Sequence, residues 1–304
     1  MRTVKAKWRR KRWGLKLGAT RWITNLRFAD DVLLIGTSLH QVRNMLQDVR
    51  AAARERGLEL HPDKTKILSN ATLRTGRPKA TSTSIDDMDI GIVPLSGAWK
   101  YLGRQISFFN THETEIDHRI STAWKKFHVH RAELTGKQYS INSRLRLFES
   151  TVSATMLYGC ETWCLTKPLE DKIRRTQRRM LRMMVHTPRR RVNADQSQNA
   201  SSDTSTSSSS SDSSRCSTQV SLEPWVDWVR RATRNAEQHL QRLHISDWVT
   251  AHRSAACNWL QRLQRPGNSW AHWALQWSPS EPHHRRRHGG QKKRWHEYVV
   301  NSLI

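Results

Sequence analysis

Asp30 and Asp31 stand side by side between two apolar runs, Trp22–Phe28 and Val32–Gly36, and this restricts the fold more tightly than any other stretch. The second run is short, partly β-branched and closed by Gly36, which predicts a buried strand, and the first reads as its partner. Ala29-Asp30-Asp31 is then the turn of a hairpin with two carboxylates at its tip. Neighbouring anions repel unless a cation lies between or beside them, and a divalent metal would relieve that repulsion. A solvated turn is the plain alternative, because Asp is common in turns.

Downstream, Ser38 can cap a helix whose apolar positions Leu39, Val42, Leu46, Val49 and Ala53 recur at helical spacing, with Gly57 placed to end it. Leu58–Leu68, interrupted by Pro62, returns to extended structure, and residues 70–90 are polar and uninformative. Trp99–Ile106 reads as a short strand pair. From Glu115 three amphipathic helices follow, their stripes marked by Ile116, Ile120, Ala123 and Phe127, then Ile141, Leu145, Phe148, Val152 and Met156, then Leu169, Ile173, Met180 and Met184. The third also carries Arg174, Arg175, Arg178, Arg179 and Arg182. Residues 194–221 are Ser, Asp, Thr and Asn with five consecutive serines at Ser207–Ser211, too polar to offset the entropy of ordering, and read as a disordered linker. The tail from Leu222 reads as helical to about Leu263 and irregular after Pro266.

Composition enters where partners are concerned. Fifty-two Lys and Arg against 26 Asp and Glu give a net charge of +26, which opposes compaction unless a polyanion neutralises it. Fourteen Trp interleaved with Arg suit phosphate contact and base stacking, so nucleic acid is the expected partner. An anionic membrane surface fits less well, since no run approaches the roughly 18 apolar residues of a spanning helix. Residues 1–22 hold nine basic residues and no acid, so the arm is expected to be solvated until a partner orders it. It has no apolar core of the secretory type. Four scattered cysteines fit a reducing, intracellular compartment, and Cys160 and Cys164 read as core residues rather than zinc ligands. His283, His284 and His288, embedded in an Arg-rich run, read as phosphate contacts.

Leu26-Arg27-Phe28-Ala29-Asp30-Asp31-Val32-Leu33-Leu34-Ile35-Gly36 resembles the aromatic-Ala-Asp-Asp palm motif of reverse transcriptases, particularly those of non-LTR (LINE-like) retrotransposons. Gly57 to Lys66 is similar to the next palm motif, with His61 where the family often has Asn. Tyr101-Leu102-Gly103 resembles the primer-grip hairpin, and Met156 to Trp163 a segment of the thumb. The resemblance implies that Asp30 and Asp31 ligate Mg²⁺, that Lys64 stands near the departing pyrophosphate, and that Tyr101, Leu102 and Gly103 lie against the primer. The arginines of the third helix would contact RNA template, DNA primer or their hybrid.

The family's palm also needs an aspartate on an earlier strand, preceded by fingers, and residues 1–21 contain no acid. The Mg²⁺ site is therefore expected to be incomplete, and the chain to be a truncated polymerase part, inactive alone. The expected architecture is α+β: a basic arm (1–21), a partial palm of antiparallel hairpins plus a helix (22–110), a helical thumb (111–193), the linker (194–221) and a basic, Trp- and Arg-rich region (222–304). A non-catalytic nucleic-acid-binding protein derived from a retroelement is the alternative.

Overall fold

In a computed structural model of the chain, which describes residues 2–17, 21–70, 81–85, 87–193, 220–265, 270–277 and 295–303, the basic N-terminal stretch is a docked helix rather than a solvated arm. Helix α1 (Arg2–Arg10) is followed by β1 (Leu15–Lys16), β2 (Trp22–Ile23), β3 (Asn25–Phe28), β4 (Asp31–Leu34) and α2 (Leu39–Arg54). Val4 and Trp8 are spaced to share a helix face, and Trp8 is fully buried against Met45 and Val49 of α2. Its indole Nε1 donates to Asp48 Oδ2 at 2.8 Å, and the Lys7 ammonium lies 2.6 Å from Asp48 Oδ1. The expectation failed because the acid that anchors the arm lies 40 residues away.

Helix α2 starts and stops where local chemistry predicts. Ser38 accepts from the Gln41 N–H at 3.2 Å, and past the last turn Gly57 adopts φ 70°, a left-handed conformation that costs glycine little. Its other buried face lies over a three-stranded sheet of β5 (Ile67–Leu68), β6 (Ser82–Ile85) and β7 (Met88–Val93), ordered β5-β7-β6, with β5 parallel and β6 antiparallel to β7. Leu46, Ile67, Ile85, Met88, Ile90 and Ile92 form the core between them. Two of these strands occupy a stretch expected to be uninformative. β8 (Trp99–Tyr101) and β9 (Arg104–Ile106) form the expected strand pair.

The expectation of a buried β4 also needs correction. β3 and β4 pair only with each other, in register Asn25↔Leu34 to Phe28↔Asp31, and Val32, Leu26 and Phe28 are exposed. Only the end of β4 is tied to the core, through Leu34. A two-stranded ribbon cannot cover both its own faces.

Helices then dominate: α3 (Thr111–Val129), α4 (Arg131–Thr135), α5 (Ile141–Phe148), a π-helical turn at Glu149–Ser153, α6 (Ala154–Met156) and α7 (Lys167–Val185). β10 (Arg191–Asn193) pairs antiparallel with β11 (Val220–Leu222), so a strand lies where the linker was expected to end. The disorder expected for the Ser-rich segment falls on residues 194–219, outside the described residues. α8 (Trp225–Arg242) and α9 (Trp248–Gln264) follow, then α10 (Trp270–Gln276) and α11 (Trp295–Leu303); where residues after Pro266 are described they are mostly helical, not irregular as expected. The result is a mixed α+β protein of short antiparallel hairpins and many helices.

Two compact units result, and neither follows the expected segment boundaries. One comprises Met1–Arg119, Gly159–Leu169 and His252–Ile304; the other Ile120–Tyr158 and Glu170–Ala251. In the second unit Phe148 stacks on Trp248 at 5.8 Å and 6°, Trp248 Nε1 donates to Ser153 Oγ at 2.8 Å, and the Trp248 N–H donates to Gln177 Oε1 at 3.0 Å.

Candidate functional site

The aspartate hairpin is built tightly. Phe28 and Asp31 face each other across the strands, so only Ala29 and Asp30 make the turn, and Ala29 takes φ 51°, a left-handed conformation unusual for a residue with a Cβ. Asp30 and Asp31 are both exposed. Hard carboxylate oxygens suit Mg²⁺. Among the described residues no third His, Cys, Asp or Glu is grouped with them, so the donor set present fits a divalent ion only in part.

The second hairpin is as tight as the first. Leu102 (φ 47°) and Gly103 (φ 78°) form a two-residue turn in which both residues are left-handed, as tight hairpins require, and Tyr101 faces Arg104 across it. Burial pushes the Tyr101 phenol above its ordinary pKa, and the negative charge of Asp31 raises it further. Tyr101 is thus within electrostatic reach of the aspartate hairpin.

A buried acid positions this hairpin. Glu115 in the first turns of α3 is fully buried; its Oε2 accepts from the Gln105 N–H at 2.6 Å, its Oε1 accepts from Arg119 Nε at 2.7 Å, and Arg104 Nε lies 3.6 Å away. Arg119 also donates to the Gly103 carbonyl, and Arg104 to Thr162 Oγ1. Gly159 (φ 69°) sits where a Cβ would meet Arg104 Cδ at 3.2 Å. Sequence reading named Glu115 only as the start of a helix, yet Glu115 and Arg119 one turn apart beside the apolar stripe were a usable signal.

The segment Met156 to Trp163 is locked from the C-terminal side. Trp163 is fully buried and its ring lies 5.6 Å from that of His252, which hydrogen-bonds the Cys160 carbonyl at 2.8 Å and Tyr298 Oη at 3.1 Å. Trp295 Nε1 donates to the Glu161 carbonyl at 2.9 Å. Burial pushes the thiols of Cys160 and Cys164 up to about 12 and about 11, which suits inert packing rather than metal binding.

Other expected residues are placed less favourably. Lys64 is exposed on the turn where Thr65 N donates to the His61 carbonyl, and among the described residues no ion pair joins it to Asp30 or Asp31. Asp87, a conceivable extra metal ligand, accepts instead from Arg50, and that bond holds its carboxyl below the ordinary value. Asp86 lies outside the described residues, as do His283, His284 and His288.

On α7, Arg174 lies 3.3 Å from Glu170 and 3.8 Å from Asp247, Arg178 lies 2.8 Å from Glu237, and Arg182 donates to Thr233 Oγ1 at 3.0 Å. Burial, then Arg178 and Arg179, lower the Arg182 pKa. Arg179 lies over the Trp124 ring at 5.4 Å, and Arg175 is exposed with Nε on the Asp171 carbonyl at 3.1 Å. Two of the five guanidiniums, Arg174 and Arg178, therefore meet acids of their own unit, which lessens the charge they offer a polyanion.

Among the described residues no helix is long and apolar enough to cross a membrane. Comparison with known proteins gives a consistent picture. Residues 3–106 match the family described as reverse transcriptase (RNA-dependent DNA polymerase), a span that takes in both hairpins and the docked arm. A transposon-derived protein of Caenorhabditis elegans is 35% identical over 171 residues, 54% of this chain and 57% of the relative. The retrovirus-related Pol polyprotein from a type-1 retrotransposable element of Popillia japonica is 32% identical over 173 residues, 54% of this chain and 27% of the relative. The chain thus spans just over half the length of one relative and about a quarter of the other. No solved structure matches. The hairpin sequence, the family match and both relatives agree: over residues 3–106 this chain carries a reverse-transcriptase domain of the non-LTR retrotransposon kind.

Proposed function

We propose that the chain supplies the aspartate hairpin and the primer-holding hairpin of a retrotransposon RNA-directed DNA polymerase, and that the 304 residues alone bind nucleic acid without extending a primer. The observation that carries this reading is the match of residues 3–106, which include both tight hairpins, to the reverse-transcriptase family. Asp30 and Asp31 would hold Mg²⁺, which when bound supplies charge to activate a hydroxyl and screen a triphosphate. Leu102 and Gly103 present a tight turn that a primer backbone can approach closely. Lys64 would steady the charge of departing pyrophosphate. Exposed Arg175, Arg178 and Arg179, with Arg174 and Arg182 behind them, would contact template, primer or hybrid phosphates. A nucleic-acid partner also fits the expected intracellular location.

Inactivity follows from ligand geometry. Two-metal phosphoryl transfer needs carboxylates that fix ions about 4 Å apart, and positioning supplies much of the rate. Asp30 and Asp31 come from one turn. Primer extension by the chain with Mg²⁺ should therefore stay at background. Adding a polypeptide that carries fingers and an aspartate-bearing palm strand should restore it, and Asp30→Ala should abolish the restored activity. Extension by the chain alone that vanishes in Asp30→Ala would overturn the proposal.

The incomplete donor set also favours a second reading, a non-catalytic nucleic-acid-binding protein of retroelement descent. Tight binding indifferent to Mg²⁺, with no rescue of extension by the added polypeptide, would select it.

A further inference from the structure

A cleft of about 650 Å³ opens in the first unit between the N-terminal elements and α10, lined by Lys5, Arg9, Arg12, Lys16, Arg21, Trp22, Trp270 and Trp273. Among the described residues its lining holds five cations, three indoles and no acid. That volume lies within the roughly 300–1,000 Å³ usual for ligand clefts. We propose that this cleft is a binding site for single-stranded nucleic acid, taking a short stretch of phosphate backbone on its cations and a base against its tryptophans; it rests on the reading of the chain as a nucleic-acid-binding protein.

The walls are braced. Lys7 and Trp8 fix α1 through Asp48, leaving Lys5 and Arg9 one turn apart on α1, with Arg12 in the turn after it, along the cleft side. Trp277 Nε1 donates to the Lys16 carbonyl at 2.7 Å, tying the end of α10 to β1. The Arg21 guanidinium lies 3.8 Å above the Trp273 ring, and Trp270 meets Trp273 edge-to-face at 5.0 Å. An arginine already stacked on an indole offers a flat cationic platform that a nucleobase can extend.

Charge supports the same occupant. Burial, then the charges of Arg9 and Arg27, push the Lys5 ammonium below its ordinary pKa, a crowding of like charge that a phosphate would relieve. The cleft's indoles are half-buried, so they reach only a base whose face is free, and a duplex hides its base faces in its own stack. An acidic peptide could match the charge but has no planar group for the tryptophans.

The test uses the full chain and fluorescence anisotropy with a labelled oligothymidylate and a duplex of equal length. The double variant Arg9→Glu/Lys16→Glu should weaken oligothymidylate binding about tenfold more than Lys125→Glu/Lys137→Glu, which makes the same change in net charge at exposed positions of the second unit. Trp273→Leu should weaken single-strand binding about tenfold and leave duplex binding unchanged. A 5-bromouracil-substituted oligonucleotide should photo-crosslink at Trp270 or Trp273. If Trp273→Leu fails to fold by circular dichroism, the charge-reversal pair and the crosslink still decide. Equal losses in the two charge-reversal pairs, crosslinks confined to other elements, or displacement by poly-glutamate as effective as by unlabelled oligonucleotide would overturn the site. Failure of the site leaves the unaltered chain binding oligothymidylate; failure of the broader reading removes that binding altogether.

Discussion

The aspartate hairpin and the layer beside it share α2 as a neighbour yet are built on opposite terms. β3 and β4 leave Phe28, Leu26 and Val32 exposed, turn through a left-handed alanine and hold both acids in solvent. α2, by contrast, is clamped between Trp8 on one side and Ile85, Ile90 and Ile92 on the other, all deeply buried. Stability therefore resides in the layer, and the proposed chemistry in the ribbon. Residues that would touch substrate contribute little to holding the fold, so they can be changed without unfolding it.

That contrast can be broken from the core outward. Trp8→Ala should cost about 3–5 kcal/mol, because it empties a fully buried indole site and removes a partner from Asp48. Urea unfolding would read the loss, and hydrogen exchange should show it first in the amides of α2. Glu115→Gln should cost about 3 kcal/mol by leaving the buried Arg119 uncompensated, and should free the Gln105 amide to exchange while α2 stays protected. Unchanged protection at Gln105 would mean that Glu115 does not position the second hairpin.

Acid gives a subtler probe, because Glu223 in the second unit is firmly held. Arg231 beside it, with the Arg190 N–H, holds its carboxyl down to about 2. An unfolded Glu titrates near 4.3. The depressed carboxyl thus contributes stability that is fully present above that value and is lost as pH falls toward about 2. Glu223→Gln should flatten this acid slope, and a slope that persists in the variant would assign it to another group. Smallest of all, Asp30→Asn and Asp31→Asn should each change stability by less than about 0.5 kcal/mol, as changes at exposed positions usually do. A larger loss by thermal melting would show that the ribbon is part of the scaffold.

Legibility in the sequence followed the range of the interactions. Ser38 and Gly57 frame α2 through bonds within a few residues, and Leu102-Gly103 specifies its own turn, so both could be read directly. Trp8 was lost among basic neighbours because its partner Asp48 is distant in sequence. β6 and β7 were missed because, in the sequence, Asp86 and Asp87 interrupt an alternation that Thr83, Ile85, Met88, Ile90 and Ile92 otherwise keep. On α7 the sequence shows five arginines but not that Glu237 and Asp247, some 60 to 70 residues on, neutralise two of them.

The hydrogen bond from Trp277 to the Lys16 carbonyl and the seating of His252 on the Cys160 carbonyl carry a consequence for biosynthesis. The first unit draws its last pieces from residues 252–304, whereas the second has all its residues by Ala251. A chain made from its N-terminus can therefore finish the second unit while Trp163 and the basic cleft still wait for their C-terminal partners. Contacts that span this much sequence form slowly, because a long loop must close first. During that interval the unfinished first unit is exposed to chaperones and proteases, and the ribosome's progress through residues 252–304 sets how long the exposure lasts.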